Sequence, residues 1–254
     1  MVRLTEQQVN QYNTFGFMVV HGLFEPQANS MIDHYMKMRT EGPKPGDTGG
    51  TMDDPDDPNH EFPRMINMHD WDQSTEYWAT ASELIHIAGE LIGDKPVLCQ
   101  TMLYFKPPGG RGQALHQDQQ YITTDPLIGV WVALDKSDQS VGQMIVIPKS
   151  HQYGLLEVEP ADTSISFTNV QSVIPQDAEQ VGLDMEPGDV LFFDGKMIHG
   201  SYRNSTTDRW RRSFICHYIG ENSQNFVAPQ GKHVSHVADQ SLLRQTNILT
   251  VVQG

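Results

Sequence analysis

Positive charge is scarce in this sequence: 17 lysines and arginines stand against 32 aspartates and glutamates, for a formal net charge of −15 at pH 7. A surface with that balance repels polyanions, so nucleic acid and anionic membranes are excluded as general partners, leaving room for at most a local basic pocket. Cysteine is scarcer still, with two residues, Cys99 and Cys216, far apart and without CxxC spacing. They build no disulfide framework. Each sits in an apolar, strand-like run, and both read as buried free thiols of a cytoplasmic protein. Long apolar runs are missing as well. Nothing approaches the roughly 18 consecutive apolar residues of a membrane span, and the opening MVRLTE lacks the apolar core of a secretory signal. What remains is an ordinary globular composition, 38% hydrophobic and 19% charged over 254 residues. That is enough chain for a single domain, 1–254, with a substantial core.

The first 95 or so residues read as helical. Thr5 and Gln8 form a capping box for a helix that should stop near Gly16, before a short strand from Phe17 to Val20. Pro26 suits the first turn of a second helix carrying Met31, Ile32, Tyr35 and Met36 on one face. Residues 41–61, EGPKPGDTGGTMDDPDDPNHE, hold too little apolar surface to order themselves and read as a long flexible loop, either a lid or a solvated insertion. A third helix, capped by Ser74 and ended by Gly93, is predicted from Tyr77, Ala81, Leu84, Ile85, Ala88 and Leu91 at helical spacing.

After Pro96 the texture changes. VLCQTMLYFK (97–106), IGVWVAL (128–134), QMIVI (143–147), DVLFF (189–193) and RRSFICHYI (211–219) are short, β-branched or aromatic, and punctuated by Gly, Pro, Asp and Ser. Many short strands with turn signals predict a sandwich or barrel core over about 96–220, packed against the N-terminal helices and followed by a C-terminal extension, 221–254.

Candidate chemistry lies in that core. His116 and Asp118 are two residues apart, so on a strand both side chains face the same way. His199 follows the PGD turn and apolar strand of EPGDVLFFDGKMIHGS and is the natural third ligand. Two histidines and one carboxylate take one face of an octahedral ion and leave three positions open, the arrangement associated with non-haem Fe(II) and O₂ chemistry. An oxoacid such as 2-oxoglutarate can chelate through two of these positions, and its far carboxylate then needs a buried cation. Arg209, Arg211 and Arg212 in DRWRRSF supply candidates. Alternation puts Arg211, Ser213, Ile215 and His217 on one face and Arg212, Phe214, Cys216 and Tyr218 on the other, without deciding which faces inward.

The stretches TMLYFKPPGG, LHQD, IPKSH, PGDVLFFDGKMIHGS and RRSFICHY, in that order between about residues 97 and 220, resemble the phytanoyl-CoA dioxygenase family of Fe(II)/2-oxoglutarate-dependent oxygenases. The resemblance implies a mainly β fold with N-terminal helices, a double-stranded β-helix or jelly-roll core. It implies His116, Asp118 and His199 as catalytic iron ligands, with Arg211 and Ser201 on the distal carboxylate of 2-oxoglutarate. Gln117 and Met102 match positions lining the cosubstrate site, Arg64 a basic residue there, and Trp131 an aromatic pocket wall. Gln143 stands where a small residue is commoner and would reshape that wall. The His199–Arg211 interval is one residue longer than the family pattern, which keeps Arg212 as a rival anchor. Fe(II), 2-oxoglutarate as cosubstrate and O₂ are the implied cofactors, and hydroxylation of a C–H bond with release of succinate and CO₂ the implied reaction. Asp118 argues against halogenation, which uses Gly or Ala at that position. Gln100 and Tyr104, with His69, His151, Gln119 and Gln120, form a polar flank that points to a small-molecule substrate such as a metabolite or natural-product intermediate. Two other readings stand beside this one: a cupin-like metal enzyme that does not use 2-oxoglutarate, and a non-catalytic jelly-roll binding module. The sequence sets no oligomeric state.

Overall fold

The computed structural model describes residues 3–48 and 55–223. Four helices lead the chain: α1 (Glu6–Phe15), α2 (Glu25–Thr40), α3 (Gln73–Ala79) and α4 (Ser82–Ile92). Thirteen strands are threaded among and after them: β1 (Phe17–Val20), β2 (Asp47–Thr48), β3 (Arg64–Ile66), β4 (Pro96–Tyr104), β5 (Gln113–His116), β6 (Leu127–Ala133) and β7 (Met144–Val146), then β8 (Val158–Pro160), β9 (Val170–Ser172), β10 (Val181–Leu183), β11 (Val190–Asp194), β12 (His199–Ser201) and β13 (Ser213–Gly220). A seven-stranded sheet runs β1-β11-β6-β13-β4-β3-β2 and a four-stranded sheet runs β10-β7-β12-β5, with β8 and β9 as a separate hairpin. Among the described residues no helix is long and apolar enough to cross a membrane.

The two faces of the large sheet bury different partners, and strand alternation explains the division. Met102, Trp131, Leu191 and Ile215 point toward the small sheet and pack with Met144 and Val146. Their sequence neighbours Leu103, Val130, Phe192 and Phe214 point the other way, onto Tyr35, Leu84 and Ile87 of α2 and α4. The expected jelly-roll layering with helices against one sheet is therefore present. It settles the open question on β13: the face of Ser213, Ile215 and His217 is the inner one.

The N-terminal part differs in detail from expectation. The Thr5–Gln8 capping box and the left-handed Gly16 cap are both formed. In α2 the buried stripe is Ala28, Met31, Tyr35 and Met38, while Ile32 and Met36 pack at its rim. The single third helix is two. Asp72, not Ser74, caps α3 by accepting from the Thr75 N–H, and Ala81 turns extended before α4 starts. At the break the Tyr218 hydroxyl donates to the Ala79 carbonyl at 2.6 Å, tying the end of α3 to β13. The 41–61 segment is also more tied down than its composition predicts. Asp47 pairs with Arg39 at 2.9 Å, Asp57 with Arg111 at 2.6 Å, and the Asn59 amide donates to the Phe105 carbonyl. Residues 49–54 of that segment lie outside the described residues, as does most of the C-terminal extension with His233 and His236. Cys99 and Cys216 are buried free thiols, as expected.

Candidate metal centre

The small sheet brings the three expected ligands together. β5 and β12 pair antiparallel with His199 directly opposite His116, so both imidazoles leave the same face of the ladder as neighbours. Their rings lie 4.3 Å apart. The chain turns after β5 and places Asp118 beside them, Oδ1 at 3.4 Å from His116 Nε2 and Oδ2 at 3.6 Å from His199 Nε2. One donor atom from each of the three lies within 4.8 Å of the others, and no fourth donor joins the group among the described residues.

The donor chemistry fits a metal ion. His116 Nδ1 faces the Ala114 carbonyl at 2.9 Å and His199 Nδ1 faces the Met197 carbonyl at 3.0 Å. A carbonyl can only accept, so each Nδ1 carries the proton and each Nε2 presents its lone pair to the shared space. Burial pushes His199 down to about 4, so it is neutral near pH 7. Burial would raise the Asp118 carboxyl, but His199, His217 and His116 outweigh it and hold the group well below the usual carboxylate range. The centre is thus an ionised carboxylate beside a neutral His199 imidazole, the protonation state a divalent cation needs. His217, inward on β13, places Nε2 2.8 Å from Asp118 Oδ2 and orients the carboxylate. Gln113 places its amide nitrogen 2.9 Å from His116 Nε2, on the lone pair an ion would take.

Beyond the triad the arginines separate cleanly. Arg212 is spent on Asp135, through Nε and Nη2 at 2.7 Å each, and Arg209 on Asp138 at 2.7 Å. Arg211 is buried, lies over the Trp131 ring with its guanidinium carbon 5.5 Å from the centroid, donates to Ser213 at 3.0 Å and approaches Ser201 at 3.5 Å. Its Nε is buried without a partner, and burial lowers its pKa to about 10. Among the described residues no carboxylate pairs with it. Met102, Tyr104, Trp131, Ser201 and Arg211 line one narrow cavity with all three triad residues. Arg212 does not line this cavity; it is held by Asp135.

A second cavity of about 780 Å³ opens beside the triad, and Arg64, Gln100, Met102 and Tyr104 line it with Gln113, Tyr121 and Phe167. Arg64 donates to the Tyr104 hydroxyl at 3.0 Å and lies over the Phe167 ring. Two expected residues are elsewhere. Gln117 points away from the cavity, as alternation requires of a residue between His116 and Asp118. It binds the main chain instead, donating to the Gly154 and Lys196 carbonyls and accepting from the Leu156 N–H. Gln143 faces the opposite side of the small sheet, in a cavity shared with Asp184 and Gln180, while its neighbour Met144 turns toward the triad. Of the polar flank, His69 bonds Thr101 and Gln120 the Leu156 carbonyl. His151 lies against Gly16, whose added Cβ would meet it at 2.5 Å. These three serve the fold. Sequence reading missed Gln113, Lys106, Tyr121 and Phe167. Alternation gave no signal for Gln113, since three residues before His116 it falls on the opposite face of a regular strand. The other three sit in loops or at strand ends, where periodicity carries no information.

Known proteins complete the description. A phytanoyl-CoA dioxygenase from Arabidopsis thaliana is 30% identical over 156 residues, covering 60% of this chain and 54% of that protein. The peroxisomal phytanoyl-CoA dioxygenase of Rattus norvegicus is 27% identical over 190 residues, covering 68% and 54%. The chain spans about half the length of these curated relatives. Among solved structures, the α-ketoglutarate-dependent epimerase SnoN of nogalamycin biosynthesis superposes with a TM-score of 0.67 at 16% identity, over 86% of this chain and 83% of that one. EctD from S. alaskensis, crystallised with 2-oxoglutarate and 5-hydroxyectoine, gives 0.67 at 18% identity, over 85% and 76%. Their shared fold is the one described above. The phytanoyl-CoA dioxygenase (PhyH) family pattern matches residues 12–213, a span holding the triad, Arg211 and most of the lining of both cavities; the chain belongs to that family.

Proposed function

We propose that residues 1–254 act as one Fe(II)- and 2-oxoglutarate-dependent dioxygenase domain that hydroxylates an unactivated C–H bond of a small molecule, releasing succinate and CO₂. The observation that carries this reading is Arg211. A buried guanidinium without a carboxylate is costly, and this one shares a narrow cavity with a facial His₂–carboxylate set. A dicarboxylate oxoacid satisfies both ends at once.

In this reading His116, Asp118 and His199 hold iron. When bound, iron with 2-oxoglutarate and O₂ supplies the oxidising chemistry. The chain's own work is positioning and exclusion of solvent. Arg211 and Ser201 grip the far carboxylate, Trp131 and Met102 wall the cosubstrate space, and His217 steadies Asp118. The carboxylate of Asp118 at the third ligand position favours hydroxylation over halogenation. Arg64, Tyr104 and Gln100 face the larger cavity and are the substrate-side residues. That cavity's amides, hydroxyls and aromatic rings support a polar metabolite or natural-product intermediate, in keeping with the nogalamycin and ectoine chemistry of the fold's neighbours. The two buried thiols accord with the reducing cytoplasm.

The cupin-like reading supplies no dicarboxylate for Arg211 to hold. The experiment is 2-oxoglutarate binding to metal-loaded protein without O₂. Arg211→Ala is expected to weaken it by about two orders of magnitude, the scale of a lost bidentate charge-assisted contact, with metal retained. Arg212→Ala is expected to leave it unchanged; the reverse pattern would reject Arg211 as the anchor.

A further inference from the structure

We infer that Lys106 is a positioning residue for the cosubstrate, fixing the Ser201 hydroxyl as a proton donor to the carboxylate held by Arg211. The inference rests on the 2-oxoglutarate reading above and adds a residue that acts through Ser201.

Lys106 follows β4 and is the backbone partner of Arg211. The Lys106 N–H donates to the Arg211 carbonyl at 3.2 Å and the Arg211 N–H to the Lys106 carbonyl at 3.0 Å. Residues paired in this way send their side chains to the same side of the ladder. Both side chains are only 3% exposed, and both reach the same oxygen. Lys106 Nζ donates to Ser201 Oγ at 2.8 Å, to the Tyr202 carbonyl at 2.5 Å and to the Gly142 carbonyl at 3.2 Å. The Gly142 and Tyr202 carbonyls can only accept and take two N–H bonds of Lys106; in the ammonium form, which a neighbouring carboxylate favours, the third N–H goes to Ser201 Oγ. Among the described residues no carboxylate pairs with it.

A serine hydroxyl has two acceptor lone pairs and one proton. At Ser201 the lone pairs receive Lys106 Nζ and the Gln113 N–H, the latter at 3.2 Å. With Lys106 charged, the proton must go elsewhere. Arg211 Nη2, at 3.5 Å, cannot accept it, and Ser201 donates to none of the described residues. What remains is the cavity in front of Arg211, where an incoming carboxylate oxygen can take the Ser201 O–H beside the guanidinium. Such an anion also answers the charge conflict at Lys106, whose pKa burial and neighbouring Arg211 push well below the usual lysine range.

Because Lys106 also ties the 142 and 202 segments together, the test must separate positioning from support of the fold. It compares two oxoacids by calorimetry on the Mn(II)-loaded protein: 2-oxoglutarate, and 2-oxobutyrate, which chelates alike but has no distal carboxylate. Lys106→Met is expected to weaken 2-oxoglutarate by about tenfold, the value of one hydrogen bond to a charged group, and to leave 2-oxobutyrate unchanged. Ser201→Ala is expected to do the same, and the double variant to be no worse than Ser201→Ala alone, since the two act in series. Equal weakening of both oxoacids, additive losses, or an unchanged 2-oxoglutarate affinity in Lys106→Met overturns the inference. If Lys106→Met does not fold, Ser201→Ala with Lys106→Gln decides. An unaffected Ser201→Ala sinks the idea, and Lys106→Gln, which keeps one donor, should fall between wild type and Ser201→Ala for 2-oxoglutarate only. Wild-type protein that binds Mn(II) but no 2-oxoglutarate would overturn the cosubstrate reading itself. Binding in the wild type with indifferent variants would overturn only the role of Lys106.

Discussion

His116 and Gln117 are adjacent, yet they serve opposite ends of the account. His116 turns its Nε2 lone pair into the triad, with Nδ1 fixed by the Ala114 carbonyl. Replacing it with Ala is expected to abolish stoichiometric iron binding, read by metal analysis after desalting; full iron content in that variant would remove it from the ligand set. Gln117 is 0% exposed and bonds three main-chain groups. Gln117→Ala leaves those groups without partners, so it should cost about 2–4 kcal/mol of stability at the usual price of orphaned buried polar atoms, with 2-oxoglutarate affinity unchanged. A stable variant with impaired cosubstrate binding would restore the role the family pattern implied. The HxD spacing made His116 and Asp118 legible, because both residues and their common direction are in the sequence. It could not tell that the intervening Gln binds backbone, since its partners, Gly154, Leu156 and Lys196, arrive from distant loops.

At the scale of elements, α3 and α4 divide a stretch that periodicity reads as one helix. The 74–93 stretch has continuous helical spacing and no Gly or Pro before Gly89, so nothing local marks the break. Tyr218 of β13 holds the Ala79 carbonyl at that point. The Asp72 cap invites a pH test. Burial opposes ionisation of its carboxyl, but the bonds from His34 and Thr75 outweigh that and lower its pKa. A carboxyl whose folded pKa lies below its unfolded one contributes stability that is present in full above the unfolded value and lost as pH falls through the folded value. Asp72→Asn should therefore lower the urea midpoint near pH 7, and the gap to wild type should close below about pH 4, where an ordinary aspartate protonates. A gap independent of pH would contradict the role given to the charge. Elsewhere β1, β4, β6, β7, β11 and β13 were legible as hydrophobic runs, while β2, β3, β5, β8, β9, β10 and β12, two to four residues each, were too short for a pattern. The facing of β13 was not legible either, because both of its faces mix polar and apolar residues. The choice is made by what each face meets: Met144 and Val146 on one side, the helices on the other.

For the whole molecule, composition and site point in opposite directions. The chain is acidic by 15 charges, yet Lys106 and Arg211 are buried side by side near the triad, and Arg64 faces the adjoining cavity. Net charge cannot show this, because convergence of three distant residues is a property of the fold. The ordered motifs from 97 to 220 made the core and the triad readable, since LHQD carries two ligands at the end of one strand and PGDVLFFDGKMIHGS carries the third. The substrate cavity was less so, because Tyr121 and Phe167 come from connecting segments. Linkage provides a test at this scale. A divalent ion that binds only the folded triad stabilises it by about 2.7 kcal/mol at a hundredfold excess over Kd. Mn(II) should therefore raise the wild-type melting temperature and leave that of His199→Ala unchanged. Equal shifts in both would place the ion elsewhere.

The most direct measurement is an anaerobic titration of the purified protein, first with Fe(II) and then with 2-oxoglutarate, followed by visible absorption. One equivalent of Fe(II) should bind, and 2-oxoglutarate should then produce a weak charge-transfer band that 2-oxoglutarate without iron does not give and that Arg211→Ala shifts to much higher cosubstrate concentration. Iron binding with no band at any 2-oxoglutarate concentration would contradict the account.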